Sequence, residues 1–93
     1  MPRTKEQFEE IRIKTRDAIL DSALVLFSEK GFKGTSINDI AKTAGISKGL
    51  AYNYFNSKED LMLAVFGMLE EKLGSLFIEF ELLKSDIELE FRE

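Results

Sequence analysis

The 93-residue sequence predicts an all-α fold: a three-helix unit containing a helix-turn-helix, then a fourth, connecting helix and a C-terminal tail of open conformation. Three observations carry this reading. Apolar residues recur at helical spacing in successive segments. Each internal break joins a glycine or asparagine to a Ser or Thr placed to cap the next helix. One of those breaks, Ala44-Gly45-Ile46-Ser47, is so short that two helices must turn within it.

The first helix is expected from residue 6 to about 30, with Ala18, Ile19, Ala23, Leu26 and Phe27 on the apolar stripe and Asp17, Asp21, Ser28 and Glu29 between them. Ile11 continues the stripe, but its neighbours are mostly charged. Residues 1–10 are therefore expected to fray or extend, and residues 1–15 form an N-terminal arm or helix extension. Gly31 stops the helix just after Lys30, a cation that suits the C-terminal dipole. In the turn Gly31-Phe32-Lys33-Gly34, Phe32 is expected to plug the core. Thr35 and Ser36 offer N-caps, and Ser36-x-x-Asp39 reads as a capping box. The second helix carries Ile37, Ile40, Ala41 and Ala44 on one face and ends at Gly45, which can take the left-handed conformation. Ser47 caps a third helix from Lys48 to about Phe55, with Phe55 facing inward. After Asn56-Ser57, the box Ser57-x-x-Asp60 opens a fourth helix bearing Leu61, Val65, Met68, Leu69 and Leu73, with Leu76, Phe77 and Phe80 beyond. Gly67 and Gly74 weaken it, and Gly74 marks its end or a joint. Residues 85–93 alternate apolar and acidic side chains, a strand period with no partner strand in sight. Repeats and low-complexity tracts are absent from the sequence.

Composition narrows the function. Hydrophobic residues make up 44% and charged residues 32%, the balance of a soluble globular chain. With no Cys and no His, disulfides, zinc-finger ligation and imidazole-based catalysis are excluded. No convergent carboxylate pair is legible, so the reading is not an enzyme, with no metal and no cofactor. No apolar run approaches a membrane span and the N-terminus lacks the apolar stretch of a signal peptide, so a cytoplasmic location without membrane association is expected. The net charge of −4 and pI of about 4.9 argue at face value against a nucleic-acid partner. The charge is split, however. Residues 1–58 hold ten basic and seven acidic side chains, whereas residues 59–93 hold three basic and ten acidic ones. The acidic surplus therefore lies outside the helix-turn-helix.

In a helix-turn-helix, the first turn of the second helix faces the DNA major groove. Here that turn is Ser47-Lys48-Gly49-Leu50. Lys48 can reach a phosphate or a guanine edge. Gly49 costs about 1 kcal/mol inside a helix, which suggests that the backbone there comes close to something else. Tyr52 and Tyr54 carry hydroxyls able to donate to phosphate, and Tyr54 suits the core equally well. Lys58 is a cation at a helix N-terminus, unfavourable unless it and the nearby N–H groups share a phosphate.

Residues 16–61 resemble the helix-turn-helix domain of the TetR family of bacterial transcriptional regulators. The match runs through Thr35-Ser36-Ile37-Asn38-Asp39-Ile40-Ala41, Ala44-Gly45-Ile46-Ser47-Lys48-Gly49, Tyr52-Asn53-Tyr54-Phe55 and Ser57-Lys58-Glu59-Asp60-Leu61, with Ala18-Ile19-Leu20, Ala23, Leu26-Phe27 and Gly31-Phe32 upstream. The resemblance implies a DNA-binding domain over residues 16–58 that acts on a palindromic, double-stranded operator. By position it implies base contacts from Asn38, Lys48 and Leu50. It implies phosphate contacts from Ser36, Ser47, Gly49 (through its backbone), Tyr52, Tyr54 and Lys58. Leu50 stands where the family often has a small polar residue, favouring a thymine methyl contact. Ala51 stands where a larger apolar residue is common, so looser packing is expected beneath the third helix.

The resemblance also implies that residues 59–93 are the connecting helix and truncated start of a domain that binds a small-molecule effector and forms a homodimer. Without that domain the apolar residues beyond Leu69 would lack cover, and the tail is expected to fold back or pair with a second chain. The alternative function is a protein–protein module, dimerising or dominant-negative, that uses the apolar fourth helix.

Overall fold

The computed structural model describes residues 4–90, and its regular structure is entirely helical. The elements are α1 (Lys5–Lys30), α2 (Ile37–Ala44), α3 (Lys48–Tyr54) and α4 (Lys58–Glu90). The core is built from Ile19, Leu20, Ala23 and Leu26 of α1; Ile37, Ile40 and Ala41 of α2; Ala51 of α3, with Phe55 just after it; and Leu61 and Val65 of α4. α1 packs against both α2 and α4, and α2 packs against α3.

α1 begins earlier than its apolar stripe requires. Thr4 caps it reciprocally: the Thr4 Oγ1 accepts from the Gln7 N–H at 3.2 Å, and the Gln7 side-chain oxygen accepts from the Thr4 N–H at 2.8 Å. The arm expected over residues 1–10 is thus helical from Lys5; residues 1–3 lie outside the described residues. This extension buries little. Phe8, Ile11 and Ile13 are exposed, so Ile11 does not join the core.

The α1–α2 turn divides labour between adjacent hydroxyls. Ser36 caps α2, whereas Thr35 is only 2% exposed and turns inward. Its Oγ1 lies 2.8 Å from the Gly31 carbonyl oxygen and 3.2 Å from that of Leu26, so one hydroxyl proton serves the open end of α1. Phe32 does not plug the core. It is half-buried at the edge, its ring 5.6 Å from that of Phe27. Gly34 is required for space, since a Cβ there would lie 2.4 Å from the Lys30 carbonyl oxygen. Gly34→Ala should therefore destabilise the chain by about 1–3 kcal/mol, measured by thermal unfolding.

At the start of α2 the Ser36 hydroxyl accepts from the Asp39 N–H at 3.0 Å, and the Asp39 carboxylate accepts from the Ser36 N–H at 3.2 Å. Hydrogen bonding from the Ser36 hydroxyl, then from its N–H, with lesser help from Lys30 and Lys42, holds the Asp39 carboxyl below the usual carboxylate range. A lowered native pKa stabilises the fold above the unfolded value, and that contribution disappears as pH falls through the native one. The Tm difference between wild type and Asp39→Asn should thus be present at neutral pH and shrink to nothing as pH drops below about 4.

α2 closes with Gly45 in the left-handed region (φ 75°, ψ 29°). The Gly45 N–H donates to the Lys42 carbonyl at 3.1 Å and the Ile46 N–H to the Ala41 carbonyl at 2.9 Å, which turns the chain within two residues. The Ser47 hydroxyl then accepts from the Leu50 N–H at 3.1 Å and starts α3. Ala51 is 3% exposed and belongs to the core. The Arg16 guanidinium lies 5.5 Å from the Phe55 ring centroid, tying α1 to the end of α3.

α4 starts with the Ser57 hydroxyl accepting from the Asp60 N–H at 3.1 Å. Leu61 and Val65 are buried, and Met68 and Leu69 pack on the core from its edge. Leu73 is 64% exposed, one turn past the end of the core it was expected to join. The helix runs without a joint through Gly74 to Glu90, and the strand-like alternation of the tail is helical as far as Glu90. The physical reason is hydrogen bonding. A lone strand would leave its N–H and C=O groups unpaired, while a helix pairs them internally. Nor does the tail fold back: residues 70–90 are exposed throughout.

Candidate nucleic-acid interface

The sharp α2–α3 turn leaves the opening of α3 in solvent. Ser47, Lys48 and Gly49 are exposed, and Leu50 is 37% exposed, while Ala51 anchors the helix from beneath. Asn38, in the first turn of α2, is also exposed. Gly49 is in ordinary helical conformation, and a Cβ built on it meets nothing within 4 Å. Packing within the chain gives no reason for a glycine there.

A shallow groove of about 510 Å³ separates the N-terminus of α2 from the junction of α3 and α4. It gathers three of the sequence-predicted residues, Ser36, Tyr52 and Lys58, and adds Lys33, Asn56 and Ser57. Two helix N-termini open on it, and with them N–H groups left over from intrahelical pairing. The carboxylates of Asp39 and Glu59 also line it. Ser36 is committed to the capping box, its hydroxyl accepting from the Asp39 N–H and its own N–H donating to the Asp39 carboxylate. Tyr52 is 44% exposed, and its hydroxyl makes no hydrogen bond among the described residues. Tyr54 is half-buried and packs on the core. Ser47, Gly49 and Leu50 lie outside the groove, on the α3 opening.

Lys58 is more constrained than a surface lysine. Its Nζ donates to the Phe32 carbonyl at 2.7 Å and lies 4.3 Å from the Phe32 ring centroid. Among the described residues one of its three N–H donors is used, leaving two. Lys33 and Asn56 had no individual motif to mark them, and Ser57 was marked only as the cap of α4. For the groove their signal was position alone, in the two breaks that flank the short helices.

The geometry supplies donors and cations for anionic oxygens and one exposed helix opening for a groove. Among the described residues no group of His, Cys, Asp and Glu could hold a metal ion. Among those residues, too, no helix is long and apolar enough to cross a membrane.

A three-helix unit with this tight turn and an exposed, serine-capped third helix is a helix-turn-helix domain. Residues 19–65 match the sequence profile of the bacterial regulatory proteins of the tetR family. The chain belongs to that family. It is 39% identical over 79 residues to the HTH-type transcriptional regulator AcrR of Shigella flexneri, a match spanning 85% of this chain and 35% of the relative. It is 37% identical over 71 residues to the biofilm operon icaADBC HTH-type negative transcriptional regulator IcaR of Staphylococcus epidermidis, covering 76% of this chain and 36% of the relative. Among solved structures, a mutant of the protein HlyIIR superposes with a TM-score of 0.60 at 44% identity, covering 61% of this chain and 31% of that one. The chain thus spans about a third of the length of the curated relatives it matches.

Proposed function

We propose that this chain is the DNA-binding portion of a transcriptional regulator that recognises a palindromic duplex operator in the cytoplasm, most simply as a repressor. The observation that carries the reading is the opening of α3. Lys48, Gly49 and Leu50 stand exposed on a helix that is rigidly seated by Ala51 and Phe55, which suits insertion into a major groove. Asn38, Lys48 and Leu50 would meet base edges. Ser36, Ser47, the Gly49 backbone, Tyr52, Tyr54 and Lys58 would meet phosphates. The negative regulator among its relatives supports repression.

Residues 59–93 begin the effector-binding and dimerisation domain in this reading. Support comes from α4, whose second half is apolar on several faces at once: Leu73, Leu76, Phe77, Ile78, Phe80, Leu82 and Leu83 are all more than half exposed. A helix apolar all round is built to be covered by other elements. The same exposure favours the second reading, a protein–protein module in which α4 alone recruits a basic or apolar partner.

Titration of a labelled duplex with this chain over a range of salt concentrations separates the two. The DNA reading expects affinity to fall steeply with salt, with Lys48→Ala altering sequence preference. Absence of duplex binding at low salt, with α4 still capturing a partner, supports the second.

A further inference from the structure

We propose that Phe32 is a positioning residue for DNA binding, holding the Lys58 ammonium where a phosphate can take its remaining two donors; the proposal rests on the reading of Lys58 as a phosphate contact. Two independent contacts carry it. The Phe32 carbonyl accepts from Lys58 Nζ at 2.7 Å, and the Phe32 ring lies 4.3 Å from the same nitrogen. The two residues are 26 positions apart, so the contact joins the α1–α2 turn to the first residue of α4.

A free lysine side chain samples many rotamers, and fixing it on a ligand costs entropy at the moment of binding. Here that freedom is already lost on folding. The carbonyl sets the direction of one N–H, and the ring face favours the cation without using a hydrogen-bond donor. The ring is itself braced by Phe27, whose centroid lies 5.6 Å away. Both Phe32 contacts act at the rim of the groove that Lys58 shares with Lys33, Tyr52 and Asn56. The arrangement also answers the dipole argument: an ammonium at a helix N-terminus is tolerated because a carbonyl and a π face neutralise it locally. Phe32 touches no DNA in this scheme and acts through Lys58.

The test uses this chain, a short labelled mixed-sequence duplex, and four proteins: wild type, Phe32→Leu, Lys58→Ala and the double variant. Phe32→Tyr serves as the conservative rescue. Circular dichroism melts select a temperature at which every variant is folded. Lys58→Ala should lower affinity about tenfold and reduce the salt slope by about one. Phe32→Leu should lower affinity about three- to fivefold, and the double variant should bind like Lys58→Ala alone, because the two residues act as one unit. Phe32→Tyr should bind like wild type. In proton NMR of the free protein, the Lys58 ε-methylene should be shifted upfield by the ring in wild type and Phe32→Tyr, and not in Phe32→Leu. Losses that multiply in the double variant, or a Phe32→Leu protein that binds as wild type while Lys58→Ala does not, would overturn the positioning role. Unchanged affinity and slope in Lys58→Ala would instead overturn the phosphate reading on which it rests.

Discussion

Ile40→Ala should unfold most of the helix-turn-helix unit at a temperature where wild type is stable. Ile40 is completely buried, and it lies at the centre of a small core shared by α1, α2, α3 and α4. Truncation removes three carbons and leaves a cavity, a change that costs about 2–5 kcal/mol in well-packed sites. A chain of this size has on the order of 5–14 kcal/mol of total stability, and here the second half of α4 adds little buried surface to it. The loss is therefore a large fraction of the whole. At about 4–8 °C per kcal/mol, Tm should fall by roughly 8–40 °C. Ile40→Val, which removes one methyl, should cost only about 0.5–1.5 kcal/mol. Thermal and urea unfolding followed by circular dichroism measure both. A loss below about 1 kcal/mol for Ile40→Ala would mean that the core closes elsewhere.

Gly49 should show opposite effects on stability and on binding. Glycine in a helix is about 0.5–1 kcal/mol worse than alanine, and nothing in the chain obstructs a Cβ at this position. Gly49→Ala should accordingly raise stability by about that amount. In the DNA reading the same methyl stands between the α3 backbone and the duplex, so affinity should fall about tenfold, equivalent to about 1.4 kcal/mol. Gly49→Leu carries the contrast further: still folded, with duplex affinity reduced about a hundredfold or more. Melting curves and fluorescence anisotropy on the same preparations give both quantities. A glycine kept for the fold would lower stability when replaced and leave binding per folded molecule unchanged.

The parts of the fold that were legible in the sequence are those whose signals are chemical and local. Ser36 with Asp39, Gly45, and Ser47 each dictate a start or a stop through one hydrogen-bonding or backbone requirement, and the structure meets each one. The Thr4-x-x-Gln7 box is equally local, and it seats the first turn of α1 within the stretch that the charged residues around Ile11 lead one to expect frayed. The end of the core was not legible. Leu69 and Leu73 look alike in a periodic pattern, and only the length of the facing helices decides that the first is covered and the second is not. The tail misled for the converse reason. Alternation over a few residues is compatible with a helix once no partner strand exists. In the candidate site, the exposed opening of α3 could be read from the turn. The Lys58–Phe32 contact could not, because it spans two separate breaks in the chain.

In the DNA-binding reading, the α2–turn–α3 surface, with the groove beside it, is where this chain meets DNA. The most direct measurement is amide chemical-shift mapping of the 93-residue chain on addition of a short duplex at low salt. Shifts should concentrate at residues 36–38, 47–52 and 56–58, with residues 75–90 of α4 unaffected. Perturbations centred on the second half of α4, or none near Lys48 and Gly49 at saturating duplex, would contradict that reading.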